Sequence, residues 1–147
     1  MNQDQPAKNI QQTVPFFAVA DMEASLRFYV DGLGFEVIAK WMPGERIEWC
    51  CVQREGAVLM LQEYNGDGNN AWTPDGQVGI GVSIFFICED ALALYHEFVA
   101  NGMAPMEPFV GNNMWVIGIQ DPDGYALNFE SSTDVPEETR YSEWQQH

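Results

Sequence analysis

Val14-Pro15-Phe16-Phe17-Ala18-Val19-Ala20-Asp21 opens a pattern that recurs once, at residues 80–89, and the recurrence decides the fold. The run is short, apolar and rich in Phe and Val, the composition of a buried strand, and Asp21 stands where a side-chain oxygen caps a following helix. Leu26, Tyr29, Val30 and Leu33 then recur at helical spacing, and Gly32 and Gly34 supply the stop, where a left-handed residue is cheap. Extended segments are expected at residues 35–41, 46–53 and 57–63, divided by Pro43-Gly44 and Arg54-Glu55-Gly56, which have turn chemistry. Residues 14–63 therefore read as one β-α-β-β-β module.

Outward from this module, a stretch rich in Gly, Asn and Asp at 64–79 reads as a linker, and the same order returns over 80–130. A strand at 80–88 leads to a helix at 90–101 with Leu94, Tyr95 and Phe98 on its inner face; Gly102 stops it. Strands are expected near 103–109, 114–119 and 125–130. An offset of 68 superposes Phe17 on Phe85, Val19 on Ile87, Asp21 on Glu89, Leu26 on Leu94 and Gly34 on Gly102, which indicates a duplicated module. The expected fold is α+β: two tandem β-α-β-β-β modules form a curved eight-stranded mixed sheet with a concave cleft, helices outside. Residues 1–13 read as a flexible arm and 131–147 as an acidic, peripheral tail.

The chain has 147 residues, 46% of them hydrophobic, enough for one self-sufficient core. Its net charge of −16 repels phosphate backbones and anionic headgroups, so neither nucleic acid nor a membrane surface is an expected partner. The apolar runs stop far short of the ~20 residues that span a bilayer. The N-terminus shows no basic segment followed by an apolar one, which favours a cytoplasmic location. Three cysteines, Cys50, Cys51 and Cys88, make no disulfide framework and read as reduced packing residues.

The opening run, with Phe28-Tyr29, Leu33-Gly34-Phe35 and the late Asp121-Pro122-Asp123-Gly124-Tyr125, resembles the vicinal oxygen chelate superfamily. That superfamily includes glyoxalase I, extradiol dioxygenases, fosfomycin-resistance enzymes and bleomycin-resistance proteins. The resemblance covers residues 14–130. It implies that metal-dependent relatives hold a divalent ion with four side chains, from the first and last strand of each module. Matched one by one, the first-strand positions are Val14 or Pro15 and Val82 or Ser83, and the last-strand positions are Asn128 and, 68 earlier, Met60. A borderline divalent ion needs converging imidazole or oxygen ligands, which these residues do not provide. A shift of two residues, which preserves strand facing, substitutes Glu130 and Gln62 and supplies one carboxylate. The two histidines, His96 on the outer helix and His147 at the end of the chain, do not complete a set.

No metal and no other cofactor is therefore expected. The metal-free, bleomycin-resistance type that the chain resembles most implies a homodimer that sequesters a large aromatic, often cationic drug in its clefts and so confers antibiotic resistance. Phe17, Trp41, Trp49, Met60, Gln62, Trp115, Asn128 and Glu130 are the candidate ligand contacts: the tryptophans offer planar stacking surfaces and the negative surface draws in cations. No catalytic set is assigned; Glu130 is the one candidate, as a general base or as counter-charge to a ligand amine. The alternatives are a glyoxalase-like lyase or isomerase, metal-free with Glu130 as base or metal-dependent through differently aligned ligands, and a structural homodimer whose aromatic strands face a second chain.

Overall fold

The computed structural model describes residues 8–64 and 73–145; part of the arm, half of the linker, Gln146 and His147 lie outside them. The first module comprises β1 (Phe16–Val19), α1 (Met22–Leu26) continued by a π-helical segment (Arg27–Gly32), β2 (Glu36–Trp41), β3 (Trp49–Arg54) and β4 (Ala57–Glu63). The second comprises β5 (Ser83–Ile87), α2 (Ala91–Ala100), β6 (Phe109–Gly111), β7 (Met114–Gln120) and β8 (Ala126–Ser132), followed by α3 (Tyr141–Gln145). The eight strands divide into two hydrogen-bonded sheets, ordered β1-β4-β3-β2 and β5-β8-β7-β6. In each, the first strand runs parallel to the last and the others are antiparallel. The fold is thus α+β with the duplicated order legible in the sequence.

Asp21 caps α1 as expected, accepting from the Ala24 N–H, but α2 is capped by Asp90, which accepts from the Ala93 N–H, and not by Glu89, which the 68-residue offset matched to Asp21. These caps are 69 residues apart, whereas the positive-φ stops Gly34 (+79°) and Gly102 (+83°) are 68 apart. The extra residue in the first module is taken up by the π-helical segment, the usual way a helix absorbs a single insertion. This revises the offset of the first strands. Phe17 is equivalent to the inward Phe86, not to Phe85, because a one-residue slip exchanges the two faces of a strand. The strand expected at 103–109 is also curtailed: Pro105 and Pro108 cannot donate to a ladder, and β6 starts only at Phe109.

The helix-side faces of both sheets share one core. Phe17, Val19, Tyr29, Leu59 and Leu61 of the first module meet Phe98, Ile119, Leu127 and Phe129 of the second. A second core joins Val110, Trp115 and Ile117 to Ala91. The segment expected to be a peripheral tail closes this second core: Tyr141 packs on it, the Ser131 hydroxyl accepts from the Ala91 N–H, and residues 138–141 bond along the outer edge of β6.

The turn of each second hairpin grips the other module's helix. Asp121, equivalent in register to Arg54, accepts the Tyr29 hydroxyl at 2.7 Å and the N–H groups of Asp123 and Tyr125, all buried or half-buried. Arg54 reciprocates through a bidentate pair with Glu97 and a bond to the Leu33 carbonyl. Burial pushes the Asp121 carboxyl above the usual aspartate range despite these donors. A raised native value means that its contribution is full below the ordinary aspartate pKa and declines as pH rises through the shifted one. Asp121→Ala, which strands three donors, is expected to lower stability by about 2–3 kcal/mol. Asp121→Asn keeps the two backbone bonds and is expected to cost under about 1 kcal/mol and to flatten the pH dependence in mild acid. Urea denaturation of both variants between pH 4 and 7 checks this.

Candidate functional site

Strand alternation gives each sheet a second face, away from the helices. On the first sheet it is built from Phe16, Ala18, Met60, Gln62, Trp49 and Cys51, joined across the ladder by Ala39 and Trp41. A β-bulge between Val37 and Ala39 puts Trp41 on this face, directly opposite Trp49. On the second sheet the corresponding face carries Phe85, Ile87, Asn128, Glu130, Gly118, Val116 and Phe109. Met60 stands beside Phe16, and Asn128 beside Phe85, confirming that the two are equivalent positions.

Large apolar groups on these faces are open to solvent: Phe16 is 46% exposed, Trp41 55%, Phe85 54% and Ile87 71%. A cavity of about 660 Å³, within the range of small-molecule sites, runs from Asn128 and Gly118 to Met103, Met106 and Phe28. Gly118 borders the hollow, where a β-carbon would stand in van der Waals contact with the Asn128 Oδ1 and Met106 Sδ, both at 3.4 Å. Gly118 and Met106 carry no motif and were not legible as site residues in the sequence.

Six of the eight candidate ligand residues, Trp41, Trp49, Met60, Gln62, Asn128 and Glu130, lie on the open faces. Two do not. Phe17 is 3% exposed and stacks on Tyr125 with ring centroids 4.0 Å apart; Trp115 is 4% exposed and packs against Tyr141 and Trp144. Each sits one residue from a site position, and alternation sends it to the core. Glu130 is flanked by Ile87 and Val116, with no second carboxylate across the ladder.

The open faces do not fit a divalent ion. Met60 and Asn128 present a thioether and an amide, with Phe16 and Phe85 beside them; Val14, Pro15 and Val82 precede β1 and β5 and Ser83 opens β5; and among the described residues no three His, Cys, Asp or Glu side chains come together. His96 lies on the outside of α2, bonded to the Tyr141 hydroxyl. Among the described residues no helix is long and apolar enough to cross a membrane.

A family model described as the Glyoxalase/Bleomycin resistance protein/Dioxygenase superfamily matches residues 9–129. Among solved structures, TioX from Micromonospora sp. ML1 is similar at 14% identity and a TM-score of 0.65, over 83% of this chain and 98% of that one. TnmS3, an antibiotic binding protein from Streptomyces sp. CB03234, is 24% identical with a TM-score of 0.63, over 86% of this chain and 100% of that one. A glyoxylase/bleomycin resistance protein/dioxygenase domain from Frankia sp. EAN1pec is 17% identical with a TM-score of 0.63, over 88% and 96% respectively. No curated protein sequence matches the chain.

Burial pushes the Cys50 thiol up to about 11 and raises Cys51 and Cys88 as well, so none is an activated nucleophile. With Ellman's reagent at pH 8, no more than one thiol is expected to react quickly in the folded protein, and all three after denaturation.

Proposed function

Because the chain belongs to the glyoxalase/bleomycin resistance protein/dioxygenase superfamily, we propose that it binds and sequesters a cationic aromatic small molecule, without a metal, in clefts completed by a second copy of itself. The observation that carries this reading is the chemistry of the open faces. Phe16, Trp41, Trp49, Met60 and Phe85 offer rings and a thioether where a chelating relative needs charged donors. Such a surface stacks on planar ligands and attracts cations through the ring faces. Glu130, at the border of the second face, is the counter-charge for a ligand amine. The net charge of −16 adds long-range attraction.

A second copy is part of the proposal because, among the described residues, each sheet's open face has no second sheet set against it. Pairing the first module of one chain with the second module of another puts two such walls face to face and removes the exposed rings from water. TnmS3, described as an antibiotic binding protein, supports the choice of a drug-like ligand and a resistance role. The charge and the lack of a long apolar helix among the described residues support a cytoplasmic setting apart from nucleic acid and membrane.

Fluorescence titration with cationic polycyclic antibiotics is expected to quench tryptophan emission, and Trp41→Ala to weaken binding at least tenfold. Affinity falls as salt rises from 20 to 500 mM, because the attraction is screened. EDTA or added zinc is expected to leave the melting temperature unchanged; a stoichiometric zinc-dependent rise contradicts the metal-free reading.

A further inference from the structure

The two modules differ at the place where each hairpin turn meets the other module's first strand. In one half the arrangement is complete. Tyr125, at the end of the second module's turn, lays its ring flat on Phe17, centroids 4.0 Å apart and planes 7° from parallel. Its hydroxyl accepts from the Ala18 N–H at 3.0 Å and donates to the Ala18 carbonyl at 3.2 Å. Those groups point to the side of β1 that no strand covers, since β1 ends its sheet and its neighbouring residues, through the Pro15 and Val19 carbonyls, bond to β4. The tyrosine therefore satisfies an exposed strand edge and fills the space beside it in one stroke.

In the other half the tyrosine is missing. By register Ala57 replaces Tyr125, Phe86 replaces Phe17 and Ile87 replaces Ala18. The bond from the Cys88 N–H to the Glu130 carbonyl fixes which residues of β5 face β8, and Ile87 faces away. Its N–H and C=O have no partner among the described residues, because β5 too ends its sheet. What stands where the phenol ring stood is an open groove of about 510 Å³ bordered by Ala57, Phe86 and Ile87 and floored by Phe35 and Phe129. It adjoins the open face of the second sheet, with which it shares Phe85 and Ile87.

We propose that this groove is a second binding site, for a small phenol, which reproduces the contacts that Tyr125 makes internally. The ring lies against Phe86, and the hydroxyl accepts from the Ile87 N–H and donates to its carbonyl. The groove's rim selects among phenols: Glu55, Glu89, Asp90 and Glu97 outnumber Arg54, and Arg54 is already paired with Glu97. Neutral or ammonium-bearing phenols enter; carboxylated or phosphorylated ones are repelled.

The test uses p-cresol, tyramine, p-hydroxybenzoate and toluene on the full-length protein, with the backbone amides followed by NMR. A ligand of this size makes few contacts, so saturation is expected in the millimolar range. The Ile87 amide is expected to shift with p-cresol and tyramine, at least fivefold less at equal concentration with p-hydroxybenzoate, and not with toluene, which lacks the hydroxyl. Ala57→Tyr supplies the missing ring from within; it is expected to abolish the p-cresol response at Ile87 and to leave melting temperature equal or higher. An Ile87 amide that does not move, that moves equally with toluene, or that still responds in Ala57→Tyr overturns the proposal. So does a native homodimer that Ala57→Tyr converts to monomer, since the groove is then a seat for a second copy. Antibiotic binding is read separately by Trp41, on the open face of the first sheet, so its failure is distinguishable from a failed p-cresol response at Ile87.

Discussion

The hydrogen bond from Tyr29 to Asp121 and the stack of Tyr125 on Phe17 are the constraint from which the rest of the architecture follows. A β-α-β-β-β module has a helix on one face of its sheet and nothing on the other, so alone it is half a core. Here the two modules share their helix-side faces, and the turn of the second module is tied by Asp121, Asp123 and Tyr125 to the helix and first strand of the first. Burying a carboxylate is unfavourable, and it is tolerated because two backbone N–H groups and a hydroxyl converge on it. A motif that reads as an ordinary turn, Asp-Pro-Asp-Gly-Tyr, is thus the fastening between halves.

That fastening decides where a ligand cleft can be. With the helix-side faces committed to each other and β1 sealed by the tyrosine, the surfaces left for recognition are the two open faces and the β5 edge. The same duplicated plan explains why the halves are not interchangeable. The second module received Tyr125 and the C-terminal segment that covers β6, whereas the first has Ala57 and an exposed β2, whose Glu36 and Lys40 put charge on an edge that otherwise invites pairing.

The strand order, the first two helices, the Asp21 cap and the duplication were legible in the sequence because each rests on a local signal: an apolar run, an aspartate before a helix, a glycine with positive φ after it; the second cap was matched one residue early, at Glu89 instead of Asp90. Facing was less legible. Trp115 and Trp49 look alike in sequence, yet one is core and the other lies on an open face, because facing has a period of two and any inserted residue reverses it. Two such insertions occur, the π-helical segment of the first module and the bulge in β2, and neither announces itself by composition. Gly118 and Met106 escaped for another reason: a residue that borders a hollow carries no local signal, and only the positions of its neighbours place it there.

The chemistry of the open faces follows from the same two-residue period. A metal site in this fold needs side chains from separate strands to meet, so it depends on facing at every contributing strand. Here the strands keep their facing, as Met60 and Asn128 show by occupying matched positions beside Phe16 and Phe85. The two modules therefore keep matched positions on their open faces, and the side chains there are two rings, a thioether and an amide. Rings, a thioether and an amide carry none of the mutual repulsion that a cluster of carboxylates creates, and they make these faces largely apolar. A surface of that kind, with Glu130 at its border, gains by covering a flat cation, and the proposed binding role rests on that property.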